Sequence, residues 1–201
     1  VLRFGIILGI LGIAVLYFGV NELTALLGLI GFIVYVPIYT VWLKPRSIWS
    51  TEVGAIAGAM PPLIGYCAVT GSMDLGAWLL FAMLFLWQPP HFWTLGIRRV
   101  EEYRAAGFQI LPVVKGIQHT KIRTIPYVLL LIPVCILLGV YGYVGYIFTV
   151  ISVAFGLYWL YLSIAGLRAE DDNKWAHKSF LFSINYQLVT LLVMILDTPW
   201  T

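Results

Sequence analysis

Seven stretches of mostly apolar residues divide the chain, near 4–20, 24–40, 53–70, 76–95, 122–140, 145–165 and 179–197. Each approaches the roughly twenty residues that a helix needs to cross a bilayer. The two-residue alternation of a membrane β-barrel is absent, so the spans are predicted to be helices. Polar residues collect unevenly between them. In the seven-span arrangement every Lys and Arg falls on one side: Arg3, Lys44, Arg46, Arg98, Arg99, Arg104, Lys115, Lys121, Arg123, Arg168, Lys174 and Lys178. The opposite connections carry only Glu22, Asp74 and Asp197. The positive-inside rule therefore puts the 41–52, 96–121 and 166–178 connections in the cytoplasm, or in the matrix of a mitochondrion, with the N-terminus inside and the C-terminus outside.

Composition sharpens this to an integral, all-α polytopic membrane protein. Hydrophobic residues make up 61% and charged residues 10%, against about 25% charged in soluble domains. The net charge of +3 reflects topology, and no nucleic-acid partner is expected. Cys67 and Cys135 fall mid-span, where a thiol is usually a small buried apolar group, and no disulfide is predicted. The chain opens on Val1 without the pattern of a signal peptide, and is expected to start in mid-protein.

The polar and helix-breaking residues of Trp87-Gln88-Pro89-Pro90-His91-Phe92-Trp93, followed by Arg98-Arg99-Val100-Glu101-Glu102-Tyr103, interrupt the fourth span. Such residues are expensive in hydrocarbon and mark sites. Proline removes a helix hydrogen bond and kinks the axis, so Pro61-Pro62 and Pro89-Pro90 predict two bent helices opening a cavity. The long 96–121 connection, with Tyr103, Phe108 and Ile110, predicts a short helix continuing from the fourth span and then a cap over the mouth. Gly5-x-x-x-Gly9 and Gly54-x-x-x-Gly58 read first as close helix packing.

If the helix resumes after Pro90 and runs past the membrane surface, His91, Leu95, Arg98 and Glu102 share one stripe. Taken alone, Arg98 with Glu102 is better read as a surface ion pair, and most of the basic cluster (Lys44, Arg46, Arg98, Arg99, Arg104, Lys115) as topology determinants. His91, beside Gln88 and between Trp87 and Trp93, is as well suited to a ligand or cavity role as to a structural one. Acidic and basic groups at the mouth of an apolar cavity suit a substrate with a charged head and a hydrocarbon tail, such as a prenyl diphosphate with Mg²⁺.

At these residues the chain resembles the UbiA superfamily of intramembrane prenyltransferases. The resembling stretches are Tyr39-Thr40-x-x-Leu43-Lys44, Gly58-Ala59-Met60-Pro61-Pro62-Leu63-Ile64-Gly65, Trp87 to Trp93, Glu102-Tyr103-Arg104-Ala105-Ala106-Gly107, Leu111-Pro112-Val113-Val114-Lys115-Gly116 and Phe182-Ser183. The Pro-Pro-His-Phe-Trp and Leu-Pro-Val-Val pieces are similar to the haem-modifying branch. The resemblance implies a nine-helix bundle that joins farnesyl diphosphate to the vinyl group of haem b, with addition of water, in the bacterial cell membrane or mitochondrial inner membrane. It also implies Mg²⁺ held through diphosphate by Glu101 and Glu102, with Arg98 assisting. The implied substrate-binding set is Tyr39, Lys44, Arg46, Trp87, Gln88, His91, Arg99, Tyr103 and Lys115, with His91 on the haem side as an iron ligand or cavity donor. A haem A synthase is the implied partner.

The superfamily's first acidic motif has no match here, and seven spans have the parity of nine with two removed. The chain is thus expected to be a single prenyltransferase domain over 1–201 that lacks the first two helices. Two other readings stand beside this one: a UbiA enzyme acting on an aromatic acceptor, and a haem-handling or transport protein without catalysis.

Overall fold

The computed structural model describes residues 2–198, with side chains from Phe4 onward; the Arg3 side chain in the topology argument lies outside them. Among the described residues the chain is helical throughout. The elements are α1 (Leu2–Gly19), α2 (Glu22–Ile33) continuing as a π-wound segment (Val34–Leu43), α3 (Ser50–Thr70), α4 (Leu75–Arg98), α5 (Val100–Ala105), α6 (Leu111–Val114), α7 (Ile117–Val140), α8 (Tyr146–Ala165) and α9 (Asp172–Leu196), with a 3₁₀ turn at Gly166–Arg168. Seven long helices thus occupy the seven predicted intervals. Five of them (Glu22–Leu43, Ser50–Thr70, α7, Tyr146–Arg168 and α9) are by themselves long and apolar enough to cross a membrane. The apolar run of α1, Phe4–Gly19, is shorter, and α4 is diluted by Gln88, Pro89, Pro90 and His91.

Local chemistry starts and stops these helices. Asn21, Asp74 and Asp171 cap α2, α4 and α9, accepting hydrogen bonds from the main-chain N–H of Thr24, Ala77 and Lys174 at 2.9, 3.0 and 3.0 Å. Gly71, at φ 66°, ends α3 in the left-handed conformation that glycine adopts without strain. The π segment contains Pro37, which has no N–H to give to a regular turn. Its wider winding appears in the Lys44 N–H bond to the Tyr39 carbonyl, 2.8 Å, and in the Thr40 hydroxyl bond to the Tyr35 carbonyl, 2.7 Å. That register puts the Tyr35 and Tyr39 rings side by side, 5.6 Å apart.

Helix α4 is the hub, packing along α3, α7 and α9. Met83, Val128, Leu131, Cys135, Leu138, Phe148, Trp159 and Tyr186 form the largest buried cluster, where α4, α7, α8 and α9 meet. Its polar atoms are satisfied inside the bundle, as lipid requires: Trp159 Nε1 donates to Ser179 Oγ at 3.2 Å, and Tyr186 Oη meets Cys135 Sγ at 3.4 Å. In a second cluster Trp175 Nε1 donates to the Leu162 carbonyl at 2.9 Å. Lys121, expected in a cytoplasmic connection, is buried within α7. It donates to the Gly166 carbonyl at 2.7 Å, pairs with Asp172 and lies over the Trp175 ring, joining α7 to the start of α9. Cys67 and Cys135 are buried free thiols. Outward-facing positions are apolar, with Val69, Tyr146 and Leu196 at least four-fifths exposed, which is the inside-out pattern of a bundle bathed in lipid.

Candidate active site

A cavity of about 460 Å³ lies between the π segment, α3, α4 and a cap formed by α5 and α6. Small residues make the space: Gly54, Ala57 and Gly58 line it from α3. The Tyr39 ring lies so close to Gly54 that an added methyl would stand 2.9 Å from it, and a methyl at Gly58 would overlap Gln88 Oε1. Tyr35, Gly58 and Gln88 form the inner end. Gly96, eight residues beyond Gln88 on α4, is about 12 Å nearer the mouth. Pro61-Pro62 and Pro89-Pro90 sit within continuous helices, and the glycines of α3 supply space on that side of the cavity.

The lining grades from aromatic to cationic. Phe92 and Trp93 of α4 form the middle wall, and Ser50, Thr51, Lys44, Tyr103, Phe108, Ile110 and Pro112 ring the mouth. Lys44 Nζ stands 5.7 Å from both the Tyr39 and Phe108 ring centroids, a cation held between two aromatic faces. Gln88 Nε2 donates to the Ala55 carbonyl at 3.3 Å and the Leu84 carbonyl at 3.1 Å. Two carbonyl acceptors fix which end of the amide is nitrogen, and the side chain is clamped between α3 and α4. The cap predicted for 96–121 is present as α5, α6 and the turn between them.

Behind the wall lies an ion pair that the sequence analysis did not find. Glu52 of α3 meets Arg123 of α7 at 2.7 Å, with side chains 8% and 20% exposed. The Arg123 guanidinium is 4.1 Å from the Trp49 ring centroid and 5.8 Å from that of Trp93. Tyr127 stands edge-on to Trp93 at 5.2 Å. The signal was available: a carboxylate inside an apolar segment requires a cation from another helix.

The single stripe expected for His91, Leu95, Arg98 and Glu102 is not formed. Helix α4 stops at Arg98, Arg99 leaves the helical conformation at φ −116°, ψ 26°, and a new helix starts at Val100. Leu95 lines the cavity, whereas Trp87, His91 and Arg98 face α9. His91 is stacked between Trp87 (4.6 Å) and Phe180 (4.8 Å), and Arg98 lies over Phe180 at 5.6 Å.

Of the predicted residues, Tyr39, Lys44, Gln88 and Tyr103 therefore come together in the cavity. Trp87, His91 and Arg98 form a second group on the adjoining face of α4, toward α9. Glu101 and Glu102 are exposed on α5 and pair with Arg104 and Arg99, the latter at 3.7 Å. Arg46 and Lys115 are exposed and do not line the cavity. Among the described residues no three His, Cys, Asp or Glu side chains are grouped to hold a metal. Two neighbouring carboxylates at the cap still fit a Mg²⁺ ion bound chiefly through a ligand's phosphate oxygens, which is how that ion is commonly held.

Comparison with known proteins agrees with this architecture. The chain is 48% identical to protoheme IX farnesyltransferase 1 of Bacillus subtilis (strain 168), over 98% of this chain and 62% of that protein. It is 46% identical to protoheme IX farnesyltransferase 1 of Bacillus velezensis, over 97% and 62%. It is 42% identical to protoheme IX farnesyltransferase of Protochlamydia amoebophila, over 98% and 68%. The chain thus spans just under two thirds of the length of the two Bacillus relatives. No solved structure matches. The pattern of the UbiA prenyltransferase family matches residues 1–185, and the chain belongs to that family.

Proposed function

We propose that this chain carries out farnesyl transfer to haem b: the farnesyl group of farnesyl diphosphate is joined to a haem vinyl group, water is added, and haem O and diphosphate result. The observation that carries the reading is the graded cavity, apolar and aromatic within and cationic at the mouth, in a chain 48% identical to a protoheme IX farnesyltransferase. The isoprenoid tail lies along Phe92, Trp93, Gly54 and Gly58. The diphosphate sits at the mouth, where Lys44 neutralises part of its charge, with Lys115, Arg46 and Arg99 adding to the positive field of the cytoplasmic face.

Glu101 and Glu102 would hold Mg²⁺ through the diphosphate, and the ion would supply charge neutralisation for the departing group. The chain's own residues do the rest. Tyr39, beside Lys44, and Phe92 and Trp93 of the middle wall offer aromatic rings to the positive charge that develops on the allylic carbon as the C–O bond breaks. The vinyl group of haem supplies the electron pair for the new C–C bond. Water then adds its oxygen to the cation left beside the pyrrole and releases a proton. Tyr103, Phe108 and Pro112 close the mouth and limit access of bulk water to the allylic cation. The membrane is the bacterial cell membrane, the active face is cytoplasmic, and a haem A synthase would consume the product.

The test is mass spectrometry of haems from membranes lacking haem O that contain this chain, supplied with haem b, farnesyl diphosphate and Mg²⁺. A product heavier than haem b by a farnesyl group plus water supports the reading. Unchanged haem b, both with this chain and with a version extended at its N-terminus, would refute it.

A further inference from the structure

The two faces of α4 carry different chemistry. The face toward α3 is the cavity; the face toward α9 carries an imidazole, an arginine and stacked aromatics that the cavity does not use. His91 Nδ1 is 2.7 Å from Ser183 Oγ, and the one proton of Ser183 Oγ is committed to the Phe180 carbonyl at 2.6 Å. The serine oxygen can therefore only accept from His91, so Nδ1 carries the hydrogen and Nε2 keeps its lone pair. The ring is fixed by Trp87 and Phe180 on its two faces, and Trp87 is itself anchored by a 2.8 Å bond from Nε1 to the Ser183 carbonyl. Among the described residues Nε2 has no protein partner, and it is not sealed from its surroundings. An imidazole serving only to join helices would use both nitrogens, because an unpaired polar atom at membrane depth is costly.

Arg98 completes the group. It stands seven residues from His91, about 10 Å along the α4 axis toward the cytoplasmic end, over the same Phe180 ring that His91 stacks on. It makes no ion pair among the described residues, unlike its neighbour Arg99. A nitrogen lone pair at depth, flat aromatic surface around it and a free cation nearer the membrane surface match a planar apolar ligand with a Lewis-acid metal at its centre and anionic groups on one edge.

We propose that the α4–α9 face is the acceptor site, where His91 Nε2 ligates the iron of a metalloporphyrin, Ser183 sets the tautomer that allows it, and Arg98 pairs with a porphyrin carboxylate. The proposal rests on haem b being the acceptor. It moves Arg98 from the diphosphate, where the family resemblance put it, to the acceptor. Phe92 then stands where the two substrates meet, since it lines the cavity and lies edge-on to His91 at 5.1 Å.

Titration of the detergent-solubilised chain with three porphyrins, followed by absorbance, separates the roles. Ferric haem b should show an imidazole-ligated spectrum with the unmodified chain. His91→Ala and His91→Gln should lose that spectrum, added imidazole should restore it, and affinity for iron-free protoporphyrin IX should stay unchanged. Ser183→Ala should weaken haem binding about tenfold, the usual effect of removing the partner that orients a metal-bound histidine. Arg98→Gln should weaken haem b about tenfold, as for one lost charge-assisted bond, and leave haem b dimethyl ester unaffected. An unchanged spectrum in both His91 variants, or an equal loss toward iron-free protoporphyrin, would overturn the ligand assignment, as would a wild-type chain that binds no porphyrin. Equal loss toward haem and its ester would overturn the role of Arg98. If haem is ligated through His91 yet no farnesylated product forms, the proposed reaction fails and the acceptor site stands.

Discussion

Glu52→Gln removes one partner of the pair behind the cavity wall and leaves Arg123 charged between two tryptophan rings. Breaking a buried pair by removing one member costs about 3–5 kcal/mol, because the remaining charge is left without compensation. Glu52 is 8% exposed and Arg123 20% exposed, so some solvent or headgroup reaches the arginine. Neither Glu52 oxygen accepts a well-angled hydrogen bond, so the 2.7 Å contact is chiefly charge attraction. Both points put the loss at the lower end, about 3 kcal/mol. For a chain of this size that corresponds to a fall in Tm of about 6–12 °C. Thermal unfolding of the purified protein in dodecyl maltoside, followed by circular dichroism, reads it directly. Glu52→Met with Arg123→Met should recover most of the loss, since replacing both charges by apolar groups of similar volume is often neutral. A Glu52→Gln Tm within about 1 °C of wild type would mean a stabilisation well under 1 kcal/mol, and would refute the reading that this pair braces α3 against α7.

Lys44→Ala should raise KM for farnesyl diphosphate about tenfold, the loss of one charge-assisted contact at the mouth, whereas Arg46→Ala, outside the cavity, should leave it near the wild-type value in the same steady-state assay. Glu101→Ala together with Glu102→Ala should abolish the Mg²⁺ dependence of product formation; full Mg²⁺-dependent activity in that variant would remove the metal role. Gly58→Ala puts a methyl where Gln88 Oε1 lies, and the clamped amide has two main-chain bonds to lose. The expected cost is about 1–3 kcal/mol in the detergent melt, with the cavity narrowed at its inner end and KM raised. Lys121→Ala leaves the Gly166 carbonyl and Asp172 without their partner and should destabilise by about 3 kcal/mol, with KM unchanged in what still folds.

Part of the cavity was legible from residue chemistry: Gln88 was singled out because a polar side chain at membrane depth needs a purpose. Tyr39, Lys44 and Tyr103 were implied by the family resemblance, and all four line the cavity. The apolar character of Tyr103, Phe108 and Ile110 announced the cap. Gly54-x-x-x-Gly58 was read as helix packing, and its role here is to admit Tyr39 and Gln88 against α3. The π winding at Val34–Leu43 left no pattern beyond Pro37, since an i→i+5 bond is chosen by what the neighbouring helices accommodate. The His91–Glu102 stripe failed because it assumed a helix running through Arg99, where the chain turns to lay α5 across the mouth.

By itself the sequence determined the class of the protein and the number and place of its long helices, because apolar run length is a property of the chain alone. Which neighbour each helix face meets was decided only by tertiary structure. In water a helix announces its inner face by amphipathic contrast; in lipid both faces are apolar and that contrast is lost. That is why only the folded bundle could divide the Trp87–Arg98 segment into a cavity wall toward α3 and an imidazole-and-arginine face toward α9, and why Glu52 and Arg123, seventy-one positions apart in the chain, acquired each other only when α3 and α7 closed around α4.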